Sequence, residues 1–201
     1  MATRPSSRAA TAARSAILGA LVDDHKRVKK AFRDFKKLDT ESDTEAAEAL
    51  VQQVLMELQI HAALEEELLY PAAREALKDT DMLDEAEVEH ESAHTLINQL
   101  SAMSPGDDKY FARFTVLCEY VLHHVKEEEG EMFPALETAK LDWEALAPQV
   151  QTRREELMAV HAPMEDGESM ADDEDDEAEM DVAPAAPARK RSAAKSAAKS
   201  R

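Results

Sequence analysis

Residues 61–71 read HAALEEELLYP and residues 124–134 read HVKEEEGEMFP, so a histidine, three residues, two glutamates and then an aromatic with proline occur twice at an offset of 63. His90 and His94 repeat the four-residue spacing of His61/Glu65 and His124/Glu128, and His25 stands in the middle of an apolar stripe. On a helix, four residues mean about 40° of rotation and about 6 Å of rise, so both members of each pair face one way. A histidine on an apolar face is ordinary by itself. A glutamate there is not, because burying an unpaired carboxylate is costly. Neutral imidazoles and ionised carboxylates gathered in a core ask for a cation at their centre.

The donor set narrows the choice of cation. His25, His61, His90, His94 and His124 with Glu65 and Glu128 exceed the four ligands of a tetrahedral zinc, and the lone Cys118 lies off that face. Two first-row metals bridged by the two carboxylates, with imidazoles as terminal ligands, use the whole set. Imidazole with carboxylate suits iron, with manganese or zinc as substitutes.

Amphipathic helices must position these groups. Leu18, Leu21, Val22, Val28 and Phe32 share a 3.6-period face with His25; Val51, Val54, Leu58 and Leu68 share one with His61 and Glu65. Leu83, Ala93 and Ile97 join His90 and His94, and Phe114, Leu117, Val121 and Met132 join His124 and Glu128. Polar connectors fall at Asp39–Thr44, Lys78–Asp81 and Ser104–Gly106, with Asp107 or Asp108 a candidate helix cap. The expected fold is all-α, an up-down-up-down four-helix bundle. A shorter fifth helix, from about Asp142 to Val160, is expected on its outside or end.

Composition sets the limits. The 201 residues suit one helical domain, placed at 15–162, between a basic segment at 1–14 and a tail at 163–201, both expected to be disordered. Residues 165–181 carry eleven acids and no base, and residues 189–201 carry six bases. The net charge of −19, of which −17 lies outside the N-terminal segment and the tail's charge runs, sets the domain against phosphate and leaves ARKRSAAKSAAKSR as a stretch for a weak contact with nucleic acid or another polyanion. No apolar run is long enough for a membrane span, and a single cysteine excludes an intrachain disulfide, so the expected compartment is the cytoplasm.

The doubled HxxxEE with its aromatic and proline, the earlier DDH at Asp23–His25 and the HxxxH of His90 and His94 together resemble the hemerythrin family, specifically its bacterial HHE-type cation-binding domains. The resemblance covers about residues 16–140. It implies a diiron centre with the five histidines as terminal ligands and Glu65 as a bridge. In the oxygen-carrying branch the second bridge follows its histidine by five residues, which is Glu129 here; in the HHE branch it follows by four, which is Glu128 and matches Glu65 in the repeat. With all seven ligands and a bridging oxygen, one iron is six-coordinate and the other keeps an open position for O2, nitric oxide or peroxide. No nucleophile or Gly-rich phosphate loop accompanies the cluster. The chain therefore reads as a small-molecule binder for storage, sensing or scavenging, with a peroxide- or nitric oxide-removing enzyme, or an iron storage or sensing protein, as alternatives.

Overall fold

A computed structural model describes residues 7–161, and the expectations for residues 1–6 and for the tail lie outside them. The elements are α1 (Ser7–Phe35), α2 (Thr44–Leu64), a π-helical turn (Glu65–Leu69), α3 (Tyr70–Ala76), α4 (Asp81–Ser101), α5 (Tyr110–Glu127), a second π-helical turn (Glu128–Met132), α6 (Phe133–Thr138) and α7 (Trp143–His161). With α3 and α6 continuing α2 and α5, they form an up-down-up-down four-helix bundle to which α7 is added.

Two local expectations differ from the structure. The segment expected to be disordered to residue 14 is helical from Ser7, where an alanine-rich run free of glycine and proline favours helix. Arg14 also anchors it, donating to the Glu137 carbonyl near the end of α6. Neither Asp107 nor Asp108 caps α5: Asp107 accepts from the Ser104 amide, and Lys109 takes the cap position at a left-handed φ of 67°. The fifth helix runs as expected, from Trp143 to His161, and packs along α1 and α2 with Trp143, Leu146 and Val150 buried.

Both π-helical turns begin at a glutamate of the repeat and end before its aromatic and proline. Pro71 and Pro134 have no N–H to donate to the carbonyl four residues back. The amides before them, at Tyr70 and Phe133, reach five residues back to the carbonyls of Glu65 and Glu128, which widens the turn. The motif thus sets the backbone at each glutamate.

Two apolar clusters fill the bundle. One gathers Leu21, Leu64, Tyr70, Leu83, Met132 and Trp143; the other gathers Val28, Phe32, Val54, Ile97, Phe114 and Leu117. On α1, Leu21 belongs to the first and Val28 to the second, and His25 falls between them. A polar layer therefore lies between two dry halves, each of whose buried aliphatic side chains contributes roughly 1.5–3 kcal/mol.

Candidate metal centre

Four imidazoles meet in two pairs. His25 and His61 bring their Nε2 atoms to 3.1 Å, and His90 and His124 bring theirs to 3.0 Å. Glu65 lies between the pairs, with Oε1 3.2 Å from His61 Nε2 and Oε2 3.7 Å from His90 Nε2. Glu128 also spans them, its Oε2 standing 3.2 Å from His25 Nε2 and 3.3 Å from His124 Nε2. All six residues are buried, Glu65 completely. Neither oxygen of Glu65 has a hydrogen-bond partner, and Oε2 of Glu128 has none. A buried carboxylate without partners calls for a cation, and these donors suit one or more first-row metals. Donor atoms of His25, His61, Glu65 and Glu128 come within 4.8 Å of one another, as do those of Glu65, His90 and His124.

Each imidazole is held from behind. Nδ1 of His25 bonds Glu129 at 2.9 Å and Nδ1 of His90 bonds Glu66 at 2.7 Å. Nδ1 of His61 bonds Asp24 at 3.3 Å and Nδ1 of His124 bonds Glu89 at 2.8 Å. A carboxylate at Nδ1 keeps that nitrogen protonated and presents Nε2 to a metal. The pattern is internally two-fold: the second glutamate of each pair holds one histidine, and the acid preceding each of His25 and His90 holds the other.

These contacts set the protonation of the metal-free site. Burial works to lower the pKa of His61, but the charge of Glu65, the bond to Asp24 and the charge of Glu128 lift it to about 10. Burial likewise opposes protonation of His124, but the contact with Glu128 and the charges of Glu128 and Glu65 raise its pKa to about 9. Burial favours a protonated Glu128, yet the close contacts of His124 and His25 hold it well below the usual carboxylate range. Asp24 is held low in the same way against burial, by His61 and Arg154.

Residues 16–136 match the Hemerythrin HHE cation binding domain. The chain belongs to this family. It also resembles the crystal structure of a hemerythrin HHE cation-binding domain-containing protein from Mycobacterium kansasii, with a TM-score of 0.57 and 25% identity over 70% of this chain and 85% of that one. A protein of Nostoc sp. (strain PCC 7120) named DNA nickase is 30% identical over 113 residues, 56% of this chain and 31% of its own length. This chain thus spans about a third of that relative.

Of the seven residues that the hemerythrin pattern singles out, six come together and His94 does not. Its side chain is 38% exposed, and its Nε2 bonds Glu66 Oε1 at 2.8 Å. One turn beyond His90, it reaches the outer carboxylate that also holds His90. Lys29, one turn beyond His25, does the same on the other side, donating to Glu129 at 3.0 Å. Glu129 is 33% exposed and lies behind His25, while Glu128 lies within the cluster. His123 is 58% exposed beside Glu127, and His161 lies far along α7, exposed.

Sequence reasoning did not assign the four backing carboxylates, although the repeated glutamate pair and the acid before each histidine were visible. Tyr70 was also missed. Its hydroxyl donates to Glu128 Oε1 at 3.0 Å and lies 3.4 Å from His90 Nε2. Burial, followed by the charges of Glu65 and Glu128, raises its pKa, so it stays a phenol. Arg154 of α7, beyond the matched region, grips Asp24 through both terminal nitrogens at 3.1 and 2.7 Å.

Proposed function

We propose that this chain holds two iron ions between the histidine pairs, bridged by Glu65 and Glu128, and binds O2 or a related small molecule such as nitric oxide or peroxide. The observation that carries this reading is Glu65, wholly buried, with one unpartnered oxygen toward each pair. His25 and His61 would hold one ion and His90 and His124 the other, with manganese or zinc as substitutes. Iron held there would supply a redox-active centre with positions open to a small ligand.

The chain's own groups prepare that site. Four backing carboxylates fix the imidazole tautomers. A cavity of about 40 Å³ borders the four clustered imidazoles and His94 and is walled by Val28, Leu58, Ile97 and Val121. That volume suits a molecule of a few atoms. Tyr70 keeps a proton bonded to Glu128, so that carboxylate offers Oε2 while Glu65 offers both oxygens.

The second reading is an enzyme consuming peroxide or nitric oxide, and Tyr70 favours it by holding a phenolic proton within the cluster. Nucleic-acid contact, which the nickase relative's name suggests for that protein, falls for this chain to the basic tail, outside the described residues. No described helix is long and apolar enough to cross a membrane. Free, buried Cys118 suits a reducing cytoplasm.

Metal content of protein purified without added metal tests the reading, followed by visible spectra of the reduced form before and after air. Two irons per chain with a band that reverses on removing oxygen are expected for the binder. Catalytic loss of peroxide or nitric oxide moves the function to the enzyme, and absence of stoichiometric metal overturns both.

A further inference from the structure

We propose that Glu89, His123 and Glu127 form a third, outward-facing cation site through which divalent first-row metal ions reach the centre, an inference that rests on the two-metal reading above. Donor atoms of the three residues lie within 4.8 Å of one another. His123 Nε2 is 3.2 Å from Glu127 Oε1 and 3.6 Å from Glu89 Oε1. Glu89 links this surface group to the interior: its Oε1 faces His123 while its Oε2 accepts from His124 Nδ1 at 2.8 Å.

A groove touches Glu89 and Glu127 of this group and His124 and Glu128 of the centre. It has a volume of about 210 Å³, is lined by Glu85, Glu89, Glu127 and Glu131, and bottoms on His124 and Glu128, with neither lysine nor arginine along it. Glu128 is 1% exposed and its Oε2 has no hydrogen-bond partner, so the groove ends on a buried carboxylate in need of a cation. Grooves on the opposite side of the centre are different. The one at Asp24 carries Arg27 and Arg154, and the one at Glu129 carries Arg14 and Lys26. In both of those grooves the bases stand among acids such as Asp23 and offset their charge, whereas the glutamate groove carries carboxylates with no base to offset them and concentrates cations. An imidazole beside two carboxylates favours first-row dications over magnesium and calcium, which prefer oxygen alone. Exposure of His123 keeps the hold weak enough for release inward.

The test uses the full chain, stripped of metal and mixed with Co²⁺ at low ionic strength, with loading followed by visible absorption and stoichiometry by calorimetry. The H123A/E127Q variant is compared with the unmutated chain and with E155Q/E156Q, which removes acids from α7. The expected result is loading slowed by about tenfold in H123A/E127Q alone, with loss of a weak third equivalent and no change in the two tight ones. Added salt should narrow the gap. Unchanged loading, or a third equivalent that survives, overturns the proposal while leaving the two-metal reading standing. A parent chain with no tight equivalents overturns that reading and the route with it.

Discussion

The two histidine pairs are built alike and backed differently. Behind His25 and His61, Lys29 holds Glu129 while Arg154 and Arg27 hold Asp24, so each carboxylate is matched by a fixed cation. Behind His90 and His124, Glu66 is held by His94 and Glu89 faces His123 at 3.6 Å, so the partners are imidazoles near solvent. The aromatics of the repeat diverge as well. Phe133 stacks on His25 at 5.8 Å, whereas Tyr70 lies against His90 at 5.5 Å and adds a hydroxyl toward Glu128. Repetition supplies equivalent donors, and substitutions around them give the centre a polarity: one side whose backing carboxylates are met by lysine and arginine, and one where they are met by imidazoles.

Removing what the halves share should have the largest effect. Glu65→Ala deletes the carboxylate that turns a separate oxygen to each pair, so both metals should be lost, together with the metal's protection against heat. Metal at a thousandfold over its dissociation constant stabilises by about 4 kcal/mol, roughly 8–16 °C for a chain of this size. Calorimetry of the variant with and without added metal should show coincident melting temperatures. Glu129→Gln should keep two metals and lose about 10–100-fold in affinity, as for a group that orients a ligand. An empty Glu129→Gln site would transfer the bridging role from Glu128.

Next comes the pH dependence of the metal-free chain. His61 and His124, lifted to about 10 and about 9 from 6.5, bind protons more tightly folded than unfolded. Their contribution to stability is full below 6.5 and is lost as pH rises through those values. Metal-free protein should therefore melt several degrees lower at pH 10 than at pH 6.5. His61→Gln should flatten the dependence, and metal-loaded protein, whose imidazoles have already released those protons, should not show it.

The bundle and the six converging residues were legible because helical period and four-residue spacing survive any detail of packing. His94 was not, since spacing fixes a face but leaves open which carboxylate a side chain one turn further on will meet. Nor was the α7 contribution: Arg154 lies 130 residues from Asp24, and no local pattern joins them. The π-helical turns were written in the aromatic-proline pairs, but their effect depends on which carbonyl the preceding amide reaches.

Tyr70→Phe makes the halves more alike. It frees Glu128 Oε1 and removes the phenolic proton, so two metals should remain with affinity changed by about 10–100-fold. For a binder, the reversible ligand band should persist. For an enzyme, turnover should fall while metal content holds, and that split separates the two readings.

The smallest effect is expected where the halves correspond most closely, at Lys29 and His94. Each sits one turn beyond a cluster histidine, and each donates to the outer carboxylate that holds that histidine from behind. If the positions are equivalent, His94→Lys should retain both metals and nearly the parent's melting temperature, because a lysine can hold Glu66 as Lys29 holds Glu129. Lysine offers no neutral imidazole to a metal, so a ligand role for His94 predicts instead a lost ion or an altered visible spectrum. His94→Ala separates orientation from ligation further: loss of the Glu66 contact alone should weaken the His90 side modestly, by no more than the roughly tenfold at the low end for such partners. Metal content near two per chain in both variants would leave four imidazoles as the terminal set, with His94 as the counterpart of a lysine.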